Sequence, residues 1–383
     1  MTFSIPFGKP SLDDSEFDKV VNVLKSGILV HGQETLSFET EFAEFIGSDY
    51  AISVNSCTAG LHLSLIANGL TSQSKIAVPS LTHVATVHAV EYIGATPVFV
   101  DIDPNTGNLS PESLNQILSS NVIDALIPVH YLGLPCDMPK IKKLIPENTI
   151  IIEDCALSLD AHINNKRTGT FGNCGCFSFY PVKHMTTIEG GMITTNDIDI
   201  ANRLRKLKAF GYSKSLDQRS RPGMYDVSDL GFNFRMNEVE ASIGRIQLQK
   251  VRTSIKKRQA NYKQISDLVH DSEMVQLLGD SCPPNYSSYY CMNLILRGKL
   301  RGKRDDLQDY LTNAGIGTSI HYPSSIPLFH YYNQKYSIPD LSYVHAQDMS
   351  LNLISLPIAP HIGPDECEYI AKNINCWLED RLA

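Results

Sequence analysis

Lys183 lies in the stretch GCFSFYPVKHMTTIEGG, residues 175–191, where an apolar run closes at Tyr180 and Pro181 and a Glu-Gly-Gly follows the lysine. A lysine held just past a buried strand can sit in a dry pocket, where desolvation disfavours its ammonium form and lowers its pKa. Schiff-base formation requires that neutral amine. A single lysine in a turn is ordinarily a solvated surface residue, so the reading rests on its company. Asp154 follows Glu153 at the end of the apolar run 149–153. A carboxylate there points into the crevice beyond the carboxyl ends of the strands, where open α/β sheets bind ligands. Its plainer reading is a helix cap. Paired with a protonated ring nitrogen, it would preserve an aromatic cofactor ring as an electron sink, which is what pyridoxal phosphate needs. Residues 54–60, VNSCTAG, join an apolar run to a helical pattern. Small and hydroxyl-bearing residues there let backbone N–H groups and a helix N-terminus meet a phosphate, with Cys57 and Thr58 at the first turn. Ser/Thr caps are common, so this third signal is weak by itself.

These residues need a frame, and the first 250 residues supply one by alternating short apolar runs with helical patterns. Strands are expected at 51–54, 75–78, 97–101, 125–130, 149–153, 175–180 and 191–195. Several are continuous and rich in Val and Ile, as in strands buried on both faces of a sheet. Helices are expected at about 58–68, 84–93, 111–118, 138–144 and 197–210, the third opened by Ser110 and Pro111. This order predicts an α/β domain over residues 1–250 with a mostly parallel sheet. After 250 the texture changes to a charged helix at 251–269, a strand within 287–296, a helix at 304–314, a strand at 318–322 and a last helix at 364–378. A smaller α+β domain over residues 251–383 is expected.

Composition narrows the function. With 43% hydrophobic and 19% charged residues in a chain of 383, a folded protein with a large core is expected. The net charge is −8, and the densest basic run, RTSIKKR at 252–258, reads as a solvated helix face, so nucleic acid is not an expected partner. No apolar run approaches the ~20 residues needed to span a bilayer. The start lacks the basic and apolar parts of a secretory signal. Nine scattered cysteines do not suit a disulfide framework and fit a reducing cytoplasm. Cys174 and Cys176 read as small buried strand residues rather than zinc ligands.

The spacing of five segments carries a further reading. They are 55–60, 79–85 (PSLTHVA), 152–156 (IEDCA), 177–191 and 231–244 (GFNFRMNEVEASIG). Together they resemble the sugar-nucleotide aminotransferases of the DegT/DnrJ/StrS family, which have the fold type I architecture of pyridoxal-phosphate enzymes, over nearly the whole chain. The resemblance implies that Lys183 is the Schiff-base lysine and Asp154 the partner of the pyridine nitrogen. It makes Cys57, Thr58 and Ser178 ligands of the cofactor phosphate and sets His83 against the cofactor ring. It implies a homodimer in which Asn233 reaches the neighbour's phosphate, with Arg235 beside it. His321, in His321-Tyr322-Pro323, and His31 fall where the family builds its sugar pocket and a nearby loop. Tyr331 and Tyr332 read as packing residues. The chain departs from the family at Leu157, three residues after the aspartate, where Gln, His or Glu commonly stands near the cofactor's phenolic oxygen. Related sugar dehydratases carry His at the lysine position, so Lys183 speaks against dehydration.

The activity so implied moves an amino group from glutamate, leaving 2-oxoglutarate, to a nucleotide-linked keto sugar. C4 of an NDP-4-keto-6-deoxyhexose is the first choice; C3 of a 3-keto sugar and a keto cyclitol are alternatives. The reading from another class is a regulator that keeps the fold without catalysis, but a regulator need not retain both Lys183 and Asp154.

Overall fold

The computed structural model describes residues 4–213, 221, 223–269, 273–279, 284–339 and 342–382. Nine strands fall in the first 200 residues: β1 (Tyr50–Val54), β2 (Lys75–Pro79), β3 (Thr96–Val100), β4 (Ala125–Leu126), β5 (Ile150–Asp154), β6 (His162–Ile163), β7 (Lys166–Arg167), β8 (Cys174–Ser178) and β9 (Gly191–Thr195). Four follow: β10 (Val275–Leu278), β11 (Asn285–Tyr286), β12 (Met292–Leu296) and β13 (Leu353–Leu356). The main sheet runs β1-β9-β8-β5-β4-β2-β3. Only β9 opposes its neighbours; the β2–β3, β2–β4, β4–β5 and β5–β8 pairs are parallel. Both faces of such a sheet are covered, which is why its strands are runs of Ile, Val and Ala rather than alternating patterns.

The helix Cys57–Ala67 lies against this sheet and is buried on nearly every side. Its sequence, CTAGLHLSLIA, has no charged residue, as a helix without a solvent face requires. Gly60 places its missing side chain against Ile193 of β9, allowing the close approach. A second antiparallel sheet, β10-β12-β13, packs with the helices Arg304–Asn313 and Pro364–Leu382 around Trp377, Leu294, Ile354 and Leu307.

Several expectations about elements are corrected. The run 125–130 is a strand only at Ala125–Leu126; Pro128 has no N–H to give a ladder, and Val129 keeps one isolated bridge to Asp154. The strand within 287–296 starts at Met292, because Tyr289 takes a left-handed conformation (φ 52°) that interrupts extended pairing. At 318–322 there is one isolated bridge, Ser319 to Ser355. The helix expected from 251 begins at Glu238 and runs unbroken to Leu268, so residue 250 falls inside it. Asn237 caps it through a capping box with Glu240. Within the basic run Arg258 is buried, not solvated. It lies seven residues after buried Val251, which returns it to the same helix face. Cys174 and Cys176 are buried strand residues as expected, beside Asn68 and Ser64. Tyr332 is core, whereas its neighbour Tyr331 is exposed.

Candidate active site

At the carboxyl end of β5 the two acids part. Glu153 turns to one face, where it accepts hydrogen bonds from the N–H groups of Gly169 (2.9 Å), Phe171 (2.7 Å) and Gly172 (2.7 Å), and pairs with His130 at 3.0 Å. His130 Nδ1 accepts from Cys136 N–H, so its Nε2 carries the proton toward Glu153. These bonds occupy His130 and Glu153, which approach Cys155 closely enough for a metal set, in structural work. Asp154 faces the other way. Its Oδ2 accepts from the Thr86 hydroxyl at 2.8 Å and its Oδ1 from Ala156 N–H at 3.1 Å. Each oxygen keeps a lone pair for a further donor. Thr86 is itself met by the hydroxyl of Thr82, just ahead of the helix cap, at 2.9 Å.

Lys183 follows β8 in a turn closed by its N–H to the Tyr180 carbonyl (2.9 Å). Burial pushes its amine pKa down, opposed by the nearby Asp154 carboxylate. Its Nζ lies 5.2 Å from the centre of the Tyr290 ring. Cys57 opens the helix Cys57–Ala67, capped by Ser56, whose side chain accepts from Ala59 N–H. Burial raises the Cys57 thiol well above its usual range, so it is a neutral group here. Thr58 follows it, half-buried, and the N–H groups of both come before the first intrahelical donor, Gly60, which reaches the Ser56 carbonyl at 3.0 Å. Ser178 ends β8, opposite Gly191. A side chain at Gly191 would meet Cys57 N at 2.6 Å, so the Glu-Gly-Gly is what lets β9 start against the helix N-terminus.

His83 caps the helix Val84–Tyr92, and its ring and that of Tyr322 meet edge-to-face with centroids 5.8 Å apart. Burial, then the nearby Lys183, lower its pKa. His321 bonds Ser355 through Nδ1 at 2.9 Å and lies among Phe7, Tyr290 and Tyr322. Burial and Lys183 hold it neutral, with a pKa of about 3. Lys183, Asp154, Cys57, His83 and His321 thus form one electrostatically coupled group. Leu157 is buried against Tyr131, Leu132 and Tyr290, with its carbonyl taken by the Ser288 hydroxyl at 2.8 Å.

The remaining candidates sit on separate segments. Asn233 is exposed, between Phe232 and Phe234, which stack at 4.9 Å and both face His62. Phe234 accepts from Asn55 N–H at 2.9 Å, tying this segment to the turn before Cys57. Asn233 does not cap the next helix, since Asn237 does. Arg235 lays its guanidinium 4.9 Å from the Phe210 ring centre. Gly231 cannot carry a side chain, because its Cβ would fall 2.0 Å from Gly211 N. His31 is exposed in the loop before the helix Gln33–Ile46, in left-handed backbone (φ 61°). That helix has no side-chain cap of its own; Glu238 caps it from the long helix, accepting Glu34 N–H at 2.8 Å. Sequence reasoning missed Thr86, Tyr290 and Glu238. Only Thr86 had a readable signal, its four-residue spacing from Thr82.

The arrangement fits pyridoxal phosphate. A depressed-pKa lysine, an aspartate with free acceptor capacity and a helix N-terminus opened by a forced glycine are a donor set for an aldehyde, a ring nitrogen and a phosphate. With the α/β layers around a mostly parallel sheet, they define a fold type I pyridoxal-phosphate transferase.

The chain belongs to the DegT/DnrJ/EryC1/StrS aminotransferase family, whose model it matches over residues 10–375. It is a pyridoxal-phosphate-dependent sugar aminotransferase. It is 33% identical over 383 residues to the GDP-perosamine synthase of Escherichia coli O157:H7, covering 98% of this chain and 99% of that protein. Among solved structures it is similar to PseC of Helicobacter pylori, an aminotransferase involved in the biosynthesis of pseudoaminic acid. TM-score is 0.92 and identity 26%, with 99% of this chain and 100% of that one covered. It is also similar to a GDP-4-keto-6-deoxymannose-3-dehydratase, ColD, solved as a mutant with bound GDP-perosamine. There TM-score is 0.87 and identity 27%, with 97% and 100% covered.

Proposed function

We propose that this aminotransferase transfers the amino group of glutamate to C4 of a nucleotide-linked 4-keto-6-deoxyhexose, with Lys183 as the working lysine and a GDP-sugar as the first substrate to try. The observation that carries the reading is Lys183 itself, partly buried, with its amine pKa lowered by burial and within electrostatic reach of Asp154 and of the helix start at Cys57. The sugar class is supported by the two relatives whose names carry GDP-linked sugars, one of them a GDP-4-keto-6-deoxymannose.

When bound, pyridoxal phosphate supplies an electron sink and a carrier for the amino group. Lys183 would hold it covalently through Nζ, and Asp154 would accept its ring N–H. The N–H groups of Cys57 and Thr58, with Ser178, would take its phosphate, and His83 would lie against its ring. Once free, Lys183 Nζ takes a proton from the α-carbon of glutamate, and in the second half it returns one to the sugar carbon. A burial-lowered pKa suits both tasks, since the amine must lose and regain its proton near neutral pH. His321 is kept neutral beside this path, as a hydrogen-bonding group for the sugar rather than a second cation. Leu157 adds no polar group near the cofactor, so the phenolic oxygen is left to water or to another side chain.

A second copy of the chain completes the site in this reading. Asn233 points outward while its neighbours pack inward. Phe17, Val21 and Leu24 expose one face of the helix Asp14–Ser26, followed by exposed Ile28, Leu29 and Val30. A homodimer would cover such a face. Arg235 and His31 are assigned to the substrate side. No described helix is long and apolar enough to cross a membrane. The eight cysteines with described positions are free thiols, which suits a cytoplasmic enzyme.

The direct experiment is incubation with glutamate and a panel of GDP-, UDP- and dTDP-linked 4-keto-6-deoxy and 3-keto sugars, with mass detection of product. Equal amounts of a 4-amino sugar and 2-oxoglutarate are expected. A deoxy sugar without nitrogen, or product only from 3-keto sugars, would overturn the reading.

A further inference from the structure

Tyr290 is not accounted for by the residues assigned so far, yet it stands at their centre. Its side chain is buried, 5% exposed. The ring face covers Lys183 Nζ at 5.2 Å, and its centre lies 5.8 Å from those of both His184 and His321. The backbone that presents it is held from several sides. Arg258, buried on the long helix, donates from Nη1 to the Tyr290 carbonyl at 2.7 Å. Two residues earlier, Ser288 receives His184 Nε2 at its carbonyl (2.9 Å), donates its N–H to Gly133 (3.0 Å) and its hydroxyl to Leu157 (2.8 Å). Tyr289 between them is left-handed, at φ 52°, a conformation that an aromatic residue adopts only under constraint. It sends Tyr289 to the Tyr262 ring, 5.4 Å away in the second core, and Tyr290 to the lysine. Strained backbone of this kind is stored where geometry serves function.

We propose that Tyr290 is a positioning residue for proton transfer by Lys183: its ring face holds the amine while it carries a proton and fixes where it stands. This rests on the reading of Lys183 as the working lysine. A ring face attracts an ammonium but not a neutral amine, and a desolvated contact of this kind is worth about half to one and a half pKa units. It therefore counteracts part of the desolvation that lowers the amine's pKa. The other charged or titratable groups facing the amine are Asp154 on β5, Cys57 at the helix start, Cys291 beside Tyr290, and His83, His184 and His321. Burial holds the cysteines and histidines among these neutral, and Asp154 stays in place when Tyr290 is changed.

The test titrates the lysine directly in the full-length protein loaded with pyridoxamine phosphate, where Lys183 is free. Its acylation by acetic anhydride is followed against pH by peptide mass spectrometry. Tyr290→Phe keeps the ring face and should leave the midpoint unchanged. Tyr290→Leu, and pentafluorophenylalanine placed at 290, remove or reverse the attraction and should lower the midpoint by about half a unit or more. The fluorinated ring keeps the shape of Phe, so the comparison stands even where the Leu variant folds poorly. A midpoint shared by the Phe and pentafluorophenylalanine proteins would overturn the proposal, as would a shift in Tyr290→Phe itself. Borohydride reduction of the wild-type pyridoxal form separates the two levels. A label on Lys183 with unmoved midpoints defeats Tyr290 alone; a label on another lysine defeats the underlying reading.

Discussion

Asp154 meets the site and Glu153 does not because successive side chains on a strand face opposite ways. The acids at 153–154 were legible as a pair at the end of a strand, but which one faces the crevice became clear only with Thr86 on one side and three backbone N–H groups on the other. Lys183 was legible from the apolar run before it and the glycines after it. Tyr290 was not, since a tyrosine inside an apolar stretch looks like any other core residue. Two predictions belong here. Borohydride reduction of the loaded enzyme should place a pyridoxyl group on the peptide containing Lys183, and Lys183→Ala should lose activity by about 10²–10⁴-fold or more. Asp154→Asn should bind the cofactor more weakly in equilibrium dialysis and lose most activity, because an amide cannot stabilise a protonated ring nitrogen. Activity within a few-fold of wild type would assign that task elsewhere.

Glu153 holds the loop 169–172 against β5, so an element and not the chemistry depends on it. Glu153→Ala would leave the buried N–H groups of Gly169 and Phe171, the part-buried one of Gly172, and His130 without their acceptor. A loss of at least about 3 kcal/mol in urea unfolding is expected. The segment 288–290 gives a pH-dependent counterpart. His184 is buried beside Arg258 and held neutral, its pKa well below the ordinary value. Below the unfolded pKa of about 6.5 the unfolded chain takes up a proton that the folded chain refuses. The contribution of His184 is therefore complete above that pH and is lost as pH falls toward the folded pKa. His184→Gln should flatten the fall in stability between about pH 6.5 and 5; an unchanged slope would show that His184 does not contribute to it. The strand–helix alternation of the main sheet was readable because each buried strand is a dense apolar run. The second sheet was less so: Tyr289 breaks the run 287–296, and its edge pairings depend on residues distant in sequence.

At the scale of the molecule, the exposed side chains matter most. Leu230 is 87% exposed, just before Asn233, and the face of Phe17, Val21 and Leu24 is open. No sequence pattern separates a face awaiting a second chain from one awaiting its own core, so the expectation of a homodimer came only from the family resemblance. If the site is shared, Lys183→Ala and Asn233→Ala, each inactive alone, should regain part of wild-type activity when refolded together. A mixed dimer would then hold one intact site. No recovery, or an Asn233→Ala protein that is nearly active, would refute sharing. The helix Glu238–Leu268 joins these scales. It caps the helix Gln33–Ile46 near its start, meets Tyr290 through Arg258 in its middle and ends in the second core at Ile265. Its three tasks are therefore locked in angular phase. Replacing exposed Lys256 by Ala should change little. Deleting Lys256 would turn everything beyond it by about 100°, carrying Arg258 off the Tyr290 carbonyl and Ile265 out of its core. The chain tolerates a change of letter there but not a change of count, and a loss of soluble protein on deletion alone is the expected outcome.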